Sequence, residues 1–262
     1  MGTSLIIGIA ASSLLFVISW AWARKNRFYS LVDALWAFGI GGISVLWLGL
    51  GAGDVSKRAA FAILISIWSI RLGSHLHRRL QRSFPKEDPR YTKLLDHWKD
   101  REVKMFFWFF QLQSLSVILL ALPFLLVSQD VSRWSLWESI GLAVALIGIS
   151  GEALADRQMS HFKSHHDDPK AVCREGLWRY SRHPNYFFEF IIWVGIYFCT
   201  CGSHYGWVTF YAPSIILFLL LRVTGIPPTE AASLARKGDA YREYQRTTSA
   251  FIPLPPKNHL PI

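Results

Sequence analysis

The sequence predicts an all-α, polytopic membrane protein with seven transmembrane helices, its N-terminus outside and its C-terminus cytoplasmic. Three observations carry this. The 262 residues are 52% hydrophobic yet 18% charged, a balance that suits bilayer-spanning helices joined by charged loops. The apolar residues fall into long runs, and a span needs roughly 20 of them. The Lys and Arg residues gather in alternate loops, as the positive-inside rule requires.

The runs lie near 4–22, 31–50, 59–76, 105–127, 136–153, 186–202 and 206–221. The second is thinned by glycines and interrupted by Asp33, and the third by Arg71. Arg24, Lys25 and Arg27 follow the first run; nine Lys or Arg lie between Arg78 and Lys104, six between Arg157 and Arg182, and six from Arg222 onward. The opposite loops hold only Lys57, Arg58 and Arg133. The basic clusters therefore mark the cytoplasmic side of one membrane domain, residues 1–262.

A formal charge of +10 raises the question of nucleic acid, but its loop-by-loop alternation reads as topology, so no nucleic-acid partner is expected. The first run lacks a basic stretch before it and is read as a retained helix, not a signal peptide. Cys173, Cys199 and Cys201 form neither a disulfide framework nor a paired zinc spacing.

The two long basic loops are rich in aromatics and Pro-containing turns, so they are expected to fold against the membrane face. Glu87-Asp88-Pro89-Arg90-Tyr91 reads as a catalytic loop or, at least as readily, as a surface turn with local ion pairs. His161, His165, His166, Asp167 and Asp168 suggest metal ligation. Adjacent histidines on a helix point to different faces, however, and the expectation is solvated residues at the headgroup level with no metal site.

An ionisable side chain within a span costs on the order of 2.5 to 3.5 kcal/mol on insertion scales and is a functional candidate by default. Asp33 has two readings: a buried, protonated hydrogen-bond donor, or a structural pair with Arg71 or another basic residue. Glu152 and Asp156 stand four apart on one helical face near the cytoplasmic end of the fifth span. The helix dipole disfavours negative charge there, so donors must compensate. Pro184 suits the first turn of the next helix, whose N–H groups beside Arg182 form a phosphate-binding arrangement. Asn185 and Glu189 share a face of that helix. The four acceptor-bearing residues could converge on one ligand rich in hydroxyl and amide groups. Gln111 and Gln113 cannot share a face, so one is expected to reach a central cavity.

The stretch Gly176-Leu177-Trp178-Arg179-Tyr180-Ser181-Arg182-His183-Pro184-Asn185-Tyr186-Phe187-Phe188-Glu189 resembles the segment entering the sixth helix of steroid 5-alpha-reductases. Tyr241-Arg242-Glu243-Tyr244-Gln245-Arg246 and Ser249-Ala250-Phe251-Ile252-Pro253 fit the ending of that family. With Val32-Asp33 and the Glu87–Tyr91 loop, the whole is similar to the bacterial, uncharacterised branch of the superfamily, most specifically over about 145–262.

The resemblance implies a bacterial inner-membrane, NADPH-dependent reductase of the C=C bond in a lipophilic, steroid-like enone, with its active site open to the cytoplasm. By position it implies that Asp156, Asn185 and Glu189 bind the cofactor, with Glu152 where the family has asparagine. Arg78, Gln113, Lys163 and Arg222 fall at or near positions that line the cofactor or substrate cavity, and these four, with Tyr241 and Tyr244 of the matching tail, are expected to bind the cofactor. Asp33 sits near the catalytic glutamate, and His75 stands where the catalytic tyrosine is expected. Asp33 and His75 would then hold the substrate carbonyl, and Arg182, Arg78 and Arg222 the phosphates. Two departures stand out: Val32 replaces a glutamine, and Thr224-Gly225-Ile226-Pro227-Pro228 replaces a histidine-rich stretch.

Two rival readings are a membrane methyltransferase using S-adenosylmethionine, whose relatives also open a helix with Arg-His-Pro and an aromatic, and a transporter or lipid-binding protein. The transporter requires acids along a continuous pathway, whereas these gather toward one face. Membrane lipids are the expected surroundings, and the sequence assigns no oligomeric state.

Overall fold

The computed structural model describes residues 1–257; the last five residues of the expected 1–262 domain lie outside them. Among the described residues the regular structure is helical, with no strand. Six helical stretches among the described residues are long and apolar enough to cross a membrane: Gly2–Asn26, Leu31–Leu50, Val55–Ser83, Lys99–Ser128, Leu136–His165 and Gly206–Lys237. The expected 186–202 span forms a helix of 18 residues, Pro184–Cys201, which is not among these six and whose first two turns carry Asn185 and Glu189. Those two polar residues take up part of the length that an uninterrupted apolar run would need.

The chain divides into two compact units, one of residues Met1–Ser135 with Thr200–Thr209 and one of Leu136–Cys199 with the chain from Phe210 onward. The first unit contains α1 (Gly2–Asn26), α2 (Leu31–Leu50), α3 (Val55–Ser83), α4 (Pro89–His97) and α5 (Glu102–Ser128). α2 packs against α1, α3 and α5 and buries Ala37, Ile40, Ser44 and Trp47 completely.

In lipid, apolar burial adds little to helix association, and close backbone approach matters more. Gly41 shows this: a Cβ there would stand 2.2 Å from Ser69 Oγ. Ser69 Oγ donates instead to the Ala37 carbonyl of α2 at 3.0 Å. Ser12 and Ser114 join α1 to α5 through hydroxyls 2.8 Å apart, and Trp36 Nε1 donates to Ser116 Oγ at 2.9 Å, joining α2 to α5. Such bonds contribute roughly 0.6 kcal/mol each in a membrane.

At the end of this unit opposite Asp33, Asp54 caps α3 by accepting from Lys57 N at 3.0 Å. The fully buried Lys57 reaches Asp130 at 2.8 Å and Ser132 Oγ at 2.9 Å. Asp130 also accepts from Ser203 Oγ at 2.8 Å, so one ion pair ties three chain segments together.

The second unit holds α6 (Leu136–His165), α7 (Pro184–Cys201), α8 (Tyr211–Phe218), α9 (Ile226–Lys237) and α10 (Asp239–Thr247). Gly141, Ala145 and Gly148 form one stripe of α6 against α7; a Cβ on Gly148 would stand 2.6 Å from Ile192 Cγ1. Between α8 and α9 the helix widens into a π turn, Leu219–Val223, and restarts where Pro227 and Pro228 occupy the first turn of α9. π turns recur at functional sites, and this one carries the exposed Arg222.

Candidate functional site

In the first unit, the Glu87–Tyr91 turn docks onto the start of α2. Asp88 caps α4 by accepting from Arg90 N at 2.9 Å, with Pro89 next in the first turn. The Glu87 carboxylate accepts from Tyr29 N and Ser30 N ahead of α2, placing an anion where the helix dipole favours it. The capped helix then presents consecutive side chains to Asp33. Arg90 Nη2 contacts Asp33 Oδ2 at 2.6 Å, and the Tyr91 hydroxyl donates to Oδ1 at 2.6 Å.

Arg90 bridges two carboxylates, because its Nε also meets Asp88 Oδ1 at 3.1 Å, and Arg79 reaches the other Asp88 oxygen at 2.8 Å. Burial pushes the Asp88 carboxyl up, but hydrogen bonds from Arg90 and the charges of Arg90 and Arg79 hold it below the usual range. Burial opposes the Arg90 charge, yet Asp33 and Asp88 outweigh it and raise its pKa. The buried Tyr91 phenol is pushed well above its ordinary value by desolvation and then by the Asp33 charge. It is therefore a neutral O–H donor. Tyr91 is also edge-on to Phe109 at 6.0 Å, so this donor stands against an aromatic ring.

In the second unit, Asn185 Nδ2 donates to Asp156 Oδ1 at 3.3 Å, and Glu189 Oε1 accepts from Trp193 Nε1 at 2.9 Å. Glu152 is buried one turn before Asp156 on α6. These residues offer carboxylate and amide acceptors, the chemistry that ribose hydroxyls and a carboxamide require. A nucleotide cofactor fits them in that respect.

Arg182 is used differently from the phosphate-binding expectation. Its buried guanidinium donates to Glu230 at 2.6 Å and to the carbonyls of Gln245 (3.1 Å) and Thr248. Tyr241 and Tyr244 serve the same region: Tyr241 lies 3.4 Å from Glu230, and Tyr244 donates to the Trp178 and Ser181 carbonyls. Burial, then the Glu230 charge, pushes the Tyr241 phenol up to about 12.

Comparison with known proteins places this architecture. Residues 19–248 match the family described as Protein of unknown function (DUF1295). The chain belongs to the DUF1295 family. That family lies in the steroid 5-alpha-reductase-like superfamily. An uncharacterized protein of Schizosaccharomyces pombe is 26% identical over 281 residues, covering 95% of this chain and 79% of that protein. No solved structure matches.

Within this DUF1295 chain the structure brings some expected site residues together and separates the roles of others. Asp33 is paired, as one sequence reading held, but with Arg90 in place of Arg71. The hydroxyl meeting Asp33 belongs to Tyr91, whereas His75 lies half-buried on α3. Arg78 is exposed and donates from Nε to the Ser74 carbonyl at 3.1 Å within its own helix. Lys163 and Arg222 are exposed, and Gln113 is half-buried on α5. His161 and His165 stack with ring centroids 4.1 Å apart on the last turns of α6, as surface residues.

Sequence reasoning missed Glu230 and Tyr91 as site members. Tyr91 carried a usable signal, since Asp88-Pro89 is an N-cap and N1 pair that starts a helix. Glu230 carried none, because its cationic partner Arg182 lies 48 residues away along the chain.

Proposed function

We propose that the protein is a membrane-embedded, NADPH-dependent reductase of the carbon–carbon double bond of a conjugated, lipophilic enone such as a steroid-like ketone. The observation that carries this reading is the 2.6 Å bond from the buried Tyr91 hydroxyl to Asp33. A phenol kept neutral by burial is a donor for a carbonyl oxygen, and Asp33 with Arg90 orients it. NADPH, when bound, supplies the hydride to the beta carbon. When substrate binds, the Tyr91 O–H turns from Asp33 to the substrate oxygen, where it stabilises the developing negative charge by hydrogen bonding. The alpha carbon then takes its proton from solvent. In this reading Tyr91 takes the role the sequence suggested for His75.

Asp156, Asn185 and Glu189, with Glu152, hold the ribose hydroxyls and carboxamide. Arg222 and Lys163 meet the phosphates, since Arg182 is committed within the protein. The finer topology belongs to the same proposal: α7 as a seventh span, the N-terminus outside, and an inner-membrane protein with its nucleotide site facing the cytoplasm.

The test is a thermal-shift and fluorescence titration of the purified protein with NADPH and with S-adenosylmethionine, followed by NADPH oxidation with a panel of enones. Stabilisation by NADPH and enone-dependent oxidation are expected. Stabilisation by S-adenosylmethionine alone would overturn the reading in favour of a methyltransferase.

A further inference from the structure

We propose that Glu230 is a positioning residue: its carboxylate clasps the C-terminal segment Thr248–Leu254 onto Ser181-Arg182-His183 and so sets the first turn of α7, where Asn185 stands. One carboxylate gathers four donors. Arg182 Nε (2.6 Å) and His183 Nε2 (3.3 Å) reach Oε1, as does the Tyr241 hydroxyl (3.4 Å), and Gln245 Nε2 reaches Oε2 at 2.9 Å. These donors come from the approach to α7 and from α10, whereas Glu230 itself belongs to α9.

Arg182 then extends the clasp. Its backbone N donates to the Ser249 carbonyl at 2.8 Å, and its guanidinium to the Gln245 and Thr248 carbonyls. Ser181 Oγ donates to the Phe251 carbonyl at 2.8 Å, and Leu254 N to the Tyr180 carbonyl at 3.0 Å. Phe251 packs against Phe187 at 5.7 Å and Phe190 at 6.1 Å on α7. On the other side His183 stacks on Tyr186 at 5.3 Å, and Tyr186 Oη meets Thr229 Oγ1 at 3.1 Å beside Glu230.

The chemistry explains why a carboxylate is needed. A guanidinium buried to this degree requires a counter-charge, and Glu230 supplies it together with the acceptor positions that orient it. Arg182 is thus matched internally and does not hold a phosphate. The nucleotide arm of the test rests on the reductase reading; the proteolysis arm does not.

The experiment uses the full chain in nanodiscs, digested with trypsin, which cleaves after Arg236, Lys237, Arg242, Arg246 and Lys257. Cleavage reports the population of the open segment. Glu230→Gln should speed it roughly ten- to a hundredfold, because an unmatched buried cation remains. Arg182→Gln/Glu230→Gln should cleave more slowly than Glu230→Gln alone, since neither charge is left buried. Unchanged cleavage in Glu230→Gln, or a double variant faster than the single, overturns the clasp.

In the second arm, Arg182→Gln should weaken NADPH and NADH binding by the same factor. Selective loss of NADPH binding would make Arg182 a ligand of the 2′-phosphate and overturn the proposal. If the wild-type protein binds neither nucleotide, the reductase reading fails and cleavage still decides the clasp. Should Glu230→Gln not fold, Gln245→Ala removes one donor from the same carboxylate. It should raise cleavage by about two- to fivefold, and no change would count against the clasp.

Discussion

Tyr91 on α4 donates its hydroxyl to Asp33 on α2 at 2.6 Å, and Arg90, the residue before it, holds the other oxygen of the same carboxylate at 2.6 Å. Two consecutive side chains thus fix one acid at both of its oxygens. That arrangement makes Tyr91 the donor on which the proposed chemistry depends.

Removing the donor should therefore cost turnover more than binding. Tyr91→Phe keeps the ring contact with Phe109 but loses the O–H, and loss of one such donor lowers kcat by roughly 100- to 1,000-fold. Asp33→Asn should abolish most turnover while leaving NADPH affinity nearly intact. Steady-state NADPH oxidation beside a fluorescence titration separates the two; an equal loss of affinity in either variant would remove Asp33 and Tyr91 from catalysis.

The Asp88 cap should release in acid. Its carboxyl is held below the usual range despite burial, so its ionised form contributes stability at neutral pH. That contribution is complete above the ordinary carboxylate pKa of about 3.9. It is lost as pH falls through the lower value of the folded protein. Arg79 is well exposed, so screening keeps the effect modest. Asp88→Asn should lower the melting temperature at pH 7 but converge with wild type in strong acid, measured by thermal melts across pH.

Lys57 and Asp130 should behave as a buried pair. Lys57→Met leaves Asp130 with only its serine and backbone donors, and breaking a buried pair from one side costs about 3 to 5 kcal/mol. Lys57→Met/Asp130→Asn should recover part of that loss in reversible unfolding in mixed micelles. A double variant less stable than Lys57→Met would show that the pair is not the source of the effect.

Close helix approach predicts a different sensitivity at Gly148. A side chain there meets Ile192 and the α7 backbone, with the Phe188 carbonyl 3.0 Å from the position of a Cβ. Gly148→Leu should destabilise by about 1 to 3 kcal/mol, while Gly42→Leu, whose Cβ meets nothing within 4 Å, should be nearly silent. Unfolding midpoints of the two variants in the same detergent make the comparison direct.

The helical segmentation was legible from residue order. The run at 31–50 became α2, Leu31–Leu50, because an unpaired peptide group is costly in hydrocarbon and an apolar run satisfies its backbone locally. α3 extends to Ser83, beyond the expected end near 76, since its last turns are amphipathic and continue past the apolar stretch. The interruptions at Asp33 and Arg71 did not prevent α2 and α3 from forming long apolar helices, whereas α7, Pro184–Cys201, carries Asn185 and Glu189 in its first turns.

The site was legible only in part. Asp33, Asp156, Asn185 and Glu189 announced themselves because polar side chains in or beside spans are costly. Asp156 and Asn185 partner each other, but the partners of Asp33 and Arg182 did not announce themselves. Arg90 lies 57 residues from Asp33 and Glu230 lies 48 from Arg182, and no local periodicity records such pairings.

By itself, then, the sequence determined a helical membrane chain with a basic face and a few acids awaiting donors, because apolar length, proline and charge act over one or two helical turns. Tertiary structure alone decided that Asp33 meets Tyr91 and Arg90, and that Arg182 turns inward to Glu230 and the tail. Hydrogen bonds and ion pairs are satisfied over a few ångströms in space, whatever distance along the chain separates the groups.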